Sequence, residues 1–157
     1  MHEHRTTIER LRTFPIALHA AVAHLDAATL TATPLTGEWS IAQNVHHLAD
    51  SHLNCYIRCK LIASESEPPL KPYDQDQWAA MPDATDADLS TSLAILAGVH
   101  ARWAAFYADL PAESWLRGGL HPEAGRVTLA SLLVSYVNHG DGHLDQIART
   151  LAAIPHR

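Results

Sequence analysis

The chain has 157 residues, 47% of them apolar and 18% charged, which suits a single domain with a buried core and excludes a disordered chain. Its net charge of -6, with no cluster of Lys and Arg, argues against a nucleic-acid partner or an anionic membrane surface, and no apolar run is long enough to cross a bilayer. The opening stretch "MHEHRTTIER" lacks the apolar centre of a signal peptide, so the expected location is cytoplasmic.

Helical periodicity recurs four times along the chain, and no convincing alternating strand interrupts it. The first helix is predicted over Thr7–Leu25, with Ile8, Leu11, Leu18, Val22 and Leu25 on one side. Pro15 lies inside that span and should kink the helix or restart it. After "TATPLTGEW", Ser40 opens a second helix that runs to about Ile62, and "SIAQ" fits a capping box in which Gln43 reaches back. Cys55 and Cys59, four apart in this helix, read as reduced core thiols. The longest connection spans Ala63 to Asp86, where Pro68, Pro69 and Pro72 exclude a continuous helix.

The third helix is expected from about Ala87 to Leu110, with Leu89, Leu93, Leu96, His100, Trp103 and Tyr107 along its inner stripe. Pro111 stops it, and "RGGLHPEAGRV" reads as a loop. Thr128 then caps a fourth helix that turns Leu129, Leu132, Leu133, Tyr136, Leu144, Ile147 and Leu151 inward. The predicted fold is all-α: one four-helix bundle over residues 1–157, with a long connection between the second and third helices.

Chemistry concentrates in histidines. His139 and His143 are four apart on the fourth helix, so both rings lie on one face. Gly140 and Gly142 stand between them, although each helix-interior glycine costs about 1 kcal/mol relative to alanine. The pair alone fits metal ligation or a structural role equally. A metal needs a third ligand, and "NVHHLADSH" on the second helix offers His46, His47, Asp50 and His52. The stripe formed by Ile41, Val45, Leu48, Cys55 and Tyr56 has His52 near its centre and His46 and His47 on opposite flanks. Helical geometry alone therefore favours His52 as the inward residue.

Five segments in order, "GEWSIAQNVHHLADSHLNCYIRCKL", "PYDQDQW", "SLAILAGVHARW", "LHPEAGRVTLASLL" and "YVNHGDGHLDQI", resemble the DinB-like superfamily from Thr36 onward. Within it they look most like the YfiT-like metal-dependent hydrolases, a branch that includes bacillithiol transferase-like proteins. The resemblance implies a four-helix bundle, no DNA binding, and a divalent transition metal, zinc or nickel, held by three histidines. It assigns the second-helix ligand to His47 and the fourth-helix ligands to His139 and His143, overriding the preference for His52. It also implies a homodimer. Members of this branch carry a longer segment before the first helix and further polar residues between the two fourth-helix ligands, where this chain has Gly140, Asp141 and Gly142.

Three histidines leave a coordination position open, and a divalent ion among neutral imidazoles acidifies a water or thiol beside it. Hydrolysis of a small molecule and transfer of a low-molecular-weight thiol cosubstrate to a small electrophile are both expected readings; a non-catalytic, dimerising metal-binding bundle is the alternative. Asp50, Asp141 and His121 are available as acid or base but read first as surface or capping residues. Arg58 and Arg102 suit an anionic substrate group or a surface salt bridge. His100 reads as a core histidine. Trp39, Tyr73, Trp78 and Trp103 suit a pocket lining or ordinary packing.

Overall fold

The computed structural model describes residues 4–155, and four long helices carry the fold. Helix α1 spans Arg5–Val22 and runs through Pro15 as one continuous helix, so it does not restart there. Proline has no N–H for the carbonyl four residues back, so the Leu11 carbonyl has no helical partner. It is satisfied instead by His100, whose Nδ1 lies 2.5 Å away. The helix ends at Val22, so Leu25 falls beyond it, and a short helix α2, Ala27–Thr31, follows under an Asp26 cap.

Helix α3 covers Ile41–Ser64 and opens with the predicted capping box. Gln43 N–H donates to Ser40 Oγ at 3.2 Å, and Ser40 N–H donates to Gln43 Oε1 at 3.0 Å. The long connection contains helix α4, Gln75–Ala79, one turn capped by Asp74. Helix α5, Ser90–Ala108, starts later than predicted because Asp86 and Asp88 accept from the backbone amides two residues on, at 3.0 and 2.9 Å, which competes with helix formation.

The stretch read as a loop before the last helix holds a hairpin. Strand β1, Gly118–His121, pairs antiparallel with β2, Gly125–Thr128, and Gly125 supplies the left-handed turn residue at φ 71°. Strands of four residues, rich in glycine, carry too little alternation to be read from sequence. Leu70 N–H donates to Leu120 O and Leu120 N–H to Pro68 O, both at 2.9 Å, so the long connection is laid against this hairpin. Helix α6, Leu129–Ala152, starts at the expected Thr128 cap.

Helices α1 and α3 each pack principally against α5 and α6. Round the bundle the order is therefore α1, α5, α3, α6, with the consecutive long helices α1 and α3 on one diagonal and α5 and α6 on the other. Two apolar clusters fill the interior: one around Leu18, Leu48, Leu96 and Ile147, the other around Leu11, Ile62, Trp103 and Leu133. Between them, His52 and His100 are each in ring contact with Phe14 of the first cluster and Trp103 of the second. Among the described residues, no helix is long and apolar enough to cross a membrane.

Candidate metal centre

Because α3 and α6 are neighbours, a side chain from the first turns of one meets side chains from the middle of the other. His47 projects from α3 toward His139 and His143, one turn apart on α6. The Nε2 atom of His139 lies 3.4 Å from that of His47 and 3.2 Å from that of His143. All three offered ligand atoms lie within 4.8 Å of one another. Tetrahedral ligation with metal–nitrogen bonds of 2.0–2.1 Å separates donor nitrogens by about 3.3 Å, so the spacing suits one ion. His47 is buried, His139 and His143 are half-buried, and Trp39 flanks His47 and His143 with ring centroids 4.8 and 6.2 Å away.

The donor set is neutral near pH 7. Burial, reinforced by repulsion from the other two rings, pushes His47 down to about 3. Burial together with His143 brings His139 to about 4, and burial alone brings His143 to about 4. His143 is also fixed in tautomer. Asn44 donates through its Nδ2 to Ser40 O at 2.9 Å, so its Oδ1 faces His143 Nδ1 at 2.7 Å and accepts that N–H. The His143 Nε2 lone pair is left facing the other ligands. Three neutral imidazoles converging on one point, with no acid among them, suit a divalent transition metal.

The other histidines of α3 have different work. His46 turns away, with Nδ1 2.8 Å from Ser92 Oγ and Nε2 2.9 Å from Asp86 O, tying α3 to the start of α5. His52 is inward, as the helical stripe predicts, but one layer behind the centre: its Nε2 lies 3.2 Å from His139 Nδ1. The stripe thus finds the most deeply buried of the three, whereas His47, on its flank, is the one that faces His139 and His143.

A cavity of about 680 Å³ opens beside His139, lined among others by Ser51, Arg58, Tyr73, His121 and Tyr136. A second, of about 350 Å³, lies between Trp39 and Gln146 and reaches both His139 and His143. Arg58 and His121 thus line the cavity beside His139, with Arg58 Nη2 also donating to Lys71 O at 2.6 Å. Asp141 does not reach it and pairs with Arg10 on the exposed face of α6. Asp50 is half-buried near Asp83 and His46, its carboxyl raised by burial and by Asp83, and does not line the cavity. Arg102 lies over the Tyr56 ring at 5.9 Å, Trp103 is fully buried, and Trp78 packs on Tyr73 at 4.4 Å. Sequence reading missed Asn44, Ser51 and Tyr136 as site residues. Asn44 and Tyr136 each sit three residues before a histidine of the triad, hence on the same helical face, which is the signal that marks them.

The model of the DinB superfamily matches residues 10–147. The chain is 39% identical over 141 residues to YfiT of Bacillus subtilis strain 168, covering 89% of this chain and 79% of that protein. It is 35% identical over 140 residues to OB0782 of Oceanobacillus iheyensis, covering 89% and 81%. Both relatives are described as candidate metal-dependent hydrolases. The solved structure of Bacillus subtilis YfiT, described as an unusual four-helix bundle, superposes with a TM-score of 0.92 at 36% identity, covering 96% of this chain and 86% of that one.

Proposed function

The chain belongs to the DinB superfamily, and from that membership and its three-histidine centre we propose that it is a metal-dependent enzyme hydrolysing a small molecule held beside His139. The observation that carries this reading is the convergence of three Nε2 atoms, 3.2 and 3.4 Å apart where His139 is shared, at a point onto which cavities open. Three protein donors with space in front of them are the arrangement of a catalytic site, whereas structural sites are closed. His47, His139 and His143 would hold a divalent transition ion, zinc or nickel by resemblance to the family, which would supply Lewis acidity and acidify a water molecule.

The chain's own residues do the remainder. Burial raises the phenols of Tyr136 and Tyr73, against a smaller opposing effect of Ser51, so both stay protonated and donate to an oxygen that gains negative charge. Arg58 holds an anionic group of the substrate at the cavity wall. His121 Nδ1 accepts from the Glu123 and Ala124 amides at 3.3 Å, leaving its Nε2–H free to donate a hydrogen bond to a substrate in the cavity. A second reading, transfer of a low-molecular-weight thiol, is favoured by one feature: two cavities meet at His139, room for two reactants.

Purified protein is expected to carry about one divalent ion per chain by elemental analysis. His47→Ala, His139→Ala and His143→Ala lose it, while His46→Ala keeps it. Retention in the first three variants refutes the ligand set. An ester and amide panel run with and without bacillithiol, glutathione or cysteine separates the reactions. Metal-dependent turnover without thiol supports hydrolysis, consumption of thiol assigns transfer, and silence from fully loaded protein refutes both.

A further inference from the structure

We propose that the Leu11 carbonyl released by Pro15 sets the tautomer of His139 through His100 and His52, so that a lone pair and not an N–H faces the centre. The inference rests on the metal-site reading for its purpose but on hydrogen-bond geometry for its content. A single run of contacts crosses the bundle: Leu11 O to His100 Nδ1 at 2.5 Å, His100 Nε2 to His52 Nδ1 at 2.7 Å, His52 Nε2 to His139 Nδ1 at 3.2 Å. It visits α1, α5, α3 and α6 once each.

A neutral imidazole has one N–H and one lone pair, so each ring must donate at one end and accept at the other. The direction is set by the one member with no choice, since a carbonyl oxygen only accepts. His100 therefore carries its proton on Nδ1 and accepts at Nε2 from His52 Nδ1–H. His52 in turn accepts at Nε2 from His139 Nδ1–H, and the lone pair of His139 is left on Nε2, where His47 and His143 converge. The opposite direction would set a lone pair of His100 against the Leu11 oxygen at 2.5 Å with no proton between. His52 and His100 are each 1% exposed, so water does not relieve such a clash. A helix without Pro15 would engage the Leu11 carbonyl internally, so this proline, which no fold argument requires, anchors the relay.

His52 and His100 are thus positioning residues, acting on the metal through His139. Ligand-bound histidines held from behind in this way lose about 10–100-fold in metal affinity when the partner is removed.

Long-range proton–nitrogen NMR of the metal-free, nitrogen-15-labelled protein reads the tautomers directly. His100, His52 and His139 are each expected to be protonated on Nδ1 and bare on Nε2; a proton on Nε2 of any of them overturns the proposal. This measurement stands even if the wild type binds no metal, an outcome that would sink the functional reading alone. In competition with a chelating dye, Zn²⁺ is expected to bind His52→Leu about 10–100-fold more weakly. His52→Gln, whose amide both accepts and donates, recovers most of that loss. Unchanged affinity in a folded His52→Leu, or no recovery in His52→Gln, counts against the relay. Should His52→Leu fail to fold, the wild-type spectra decide.

Discussion

At the scale of single residues, the two glycines between His139 and His143 prove to have different reasons. A Cβ on Gly140 would meet the Phe14 ring at 2.7 Å, whereas one on Gly142 would find nothing within 4 Å. Gly140 lets Phe14 lie close to α6, and Phe14 in turn packs on His52 and His100 at 5.5 and 5.3 Å. Gly140→Ala is expected to lower stability by about 1–3 kcal/mol through overpacking. Gly142→Ala is expected to raise it by about 1 kcal/mol, the helical gain of alanine. Urea unfolding of the two variants checks both signs. The His139–His143 spacing was legible from sequence because a helix turns its own face reliably. The roles of His46, His47 and His52 were not, because wheel position reports depth in the bundle and says nothing of which neighbouring helix supplies the partner. Resemblance to a family pointed to His47, which faces the His139–His143 pair; the stripe pointed to His52, which is the inward residue.

At the scale of elements, the caps and the long connection place the cavity. The Ser40 and Thr128 capping boxes start α3 and α6 where the sequence puts them, and that starting point sets the level of His47 against His139. The wall opposite comes from the connection and the β1–β2 hairpin, which contribute Tyr73 and His121. Arg117 joins the hairpin to α3, donating from Nε to Ile62 O at 3.0 Å and from Nη2 to Glu65 O at 2.7 Å. A cation on the last carbonyls of a helix satisfies orphan acceptors and the negative end of the dipole. Arg117→Ala is expected to cost about 1 kcal/mol in thermal or urea unfolding, with helical content retained. An unaltered midpoint would show that the hairpin holds itself in place. The hairpin escaped sequence reading because its strands are four residues long and hold three glycines, and the chain at Pro68–Leu70 that lies beside it comes about fifty residues earlier.

At the scale of the whole molecule, a polar layer of histidines sits between two apolar clusters, and this makes stability depend on pH. His100 is pushed down to about 4, mainly by burial, with the Leu11 carbonyl pulling the other way. Burial likewise lowers His52, helped by the neighbouring rings. The unfolded chain takes up these protons near 6.5 and the folded protein does not, so acid favours unfolding. The stability of metal-free protein is expected to be level above about pH 7 and to fall as pH drops from 6.5 to 4, with His100 alone contributing on the order of 3 kcal/mol. Melting temperatures across that range check the slope; a flat profile would mean these rings are charged or solvated in the folded state.

The amino-acid sequence by itself determined the four long helices, the caps of α3 and α6, the apolar faces and the His139–His143 pair on α6, all of which follow from contacts within a few residues of chain. Only the tertiary structure decided that consecutive long helices lie across diagonals, that α3 and α6 are therefore neighbours, and that Pro15 serves His139 through two rings on other helices. The physical reason is that a periodic stripe states that a face is buried without stating against what, and a hydrogen-bond relay acquires its direction only when its last acceptor, a carbonyl on a fourth helix, is in place.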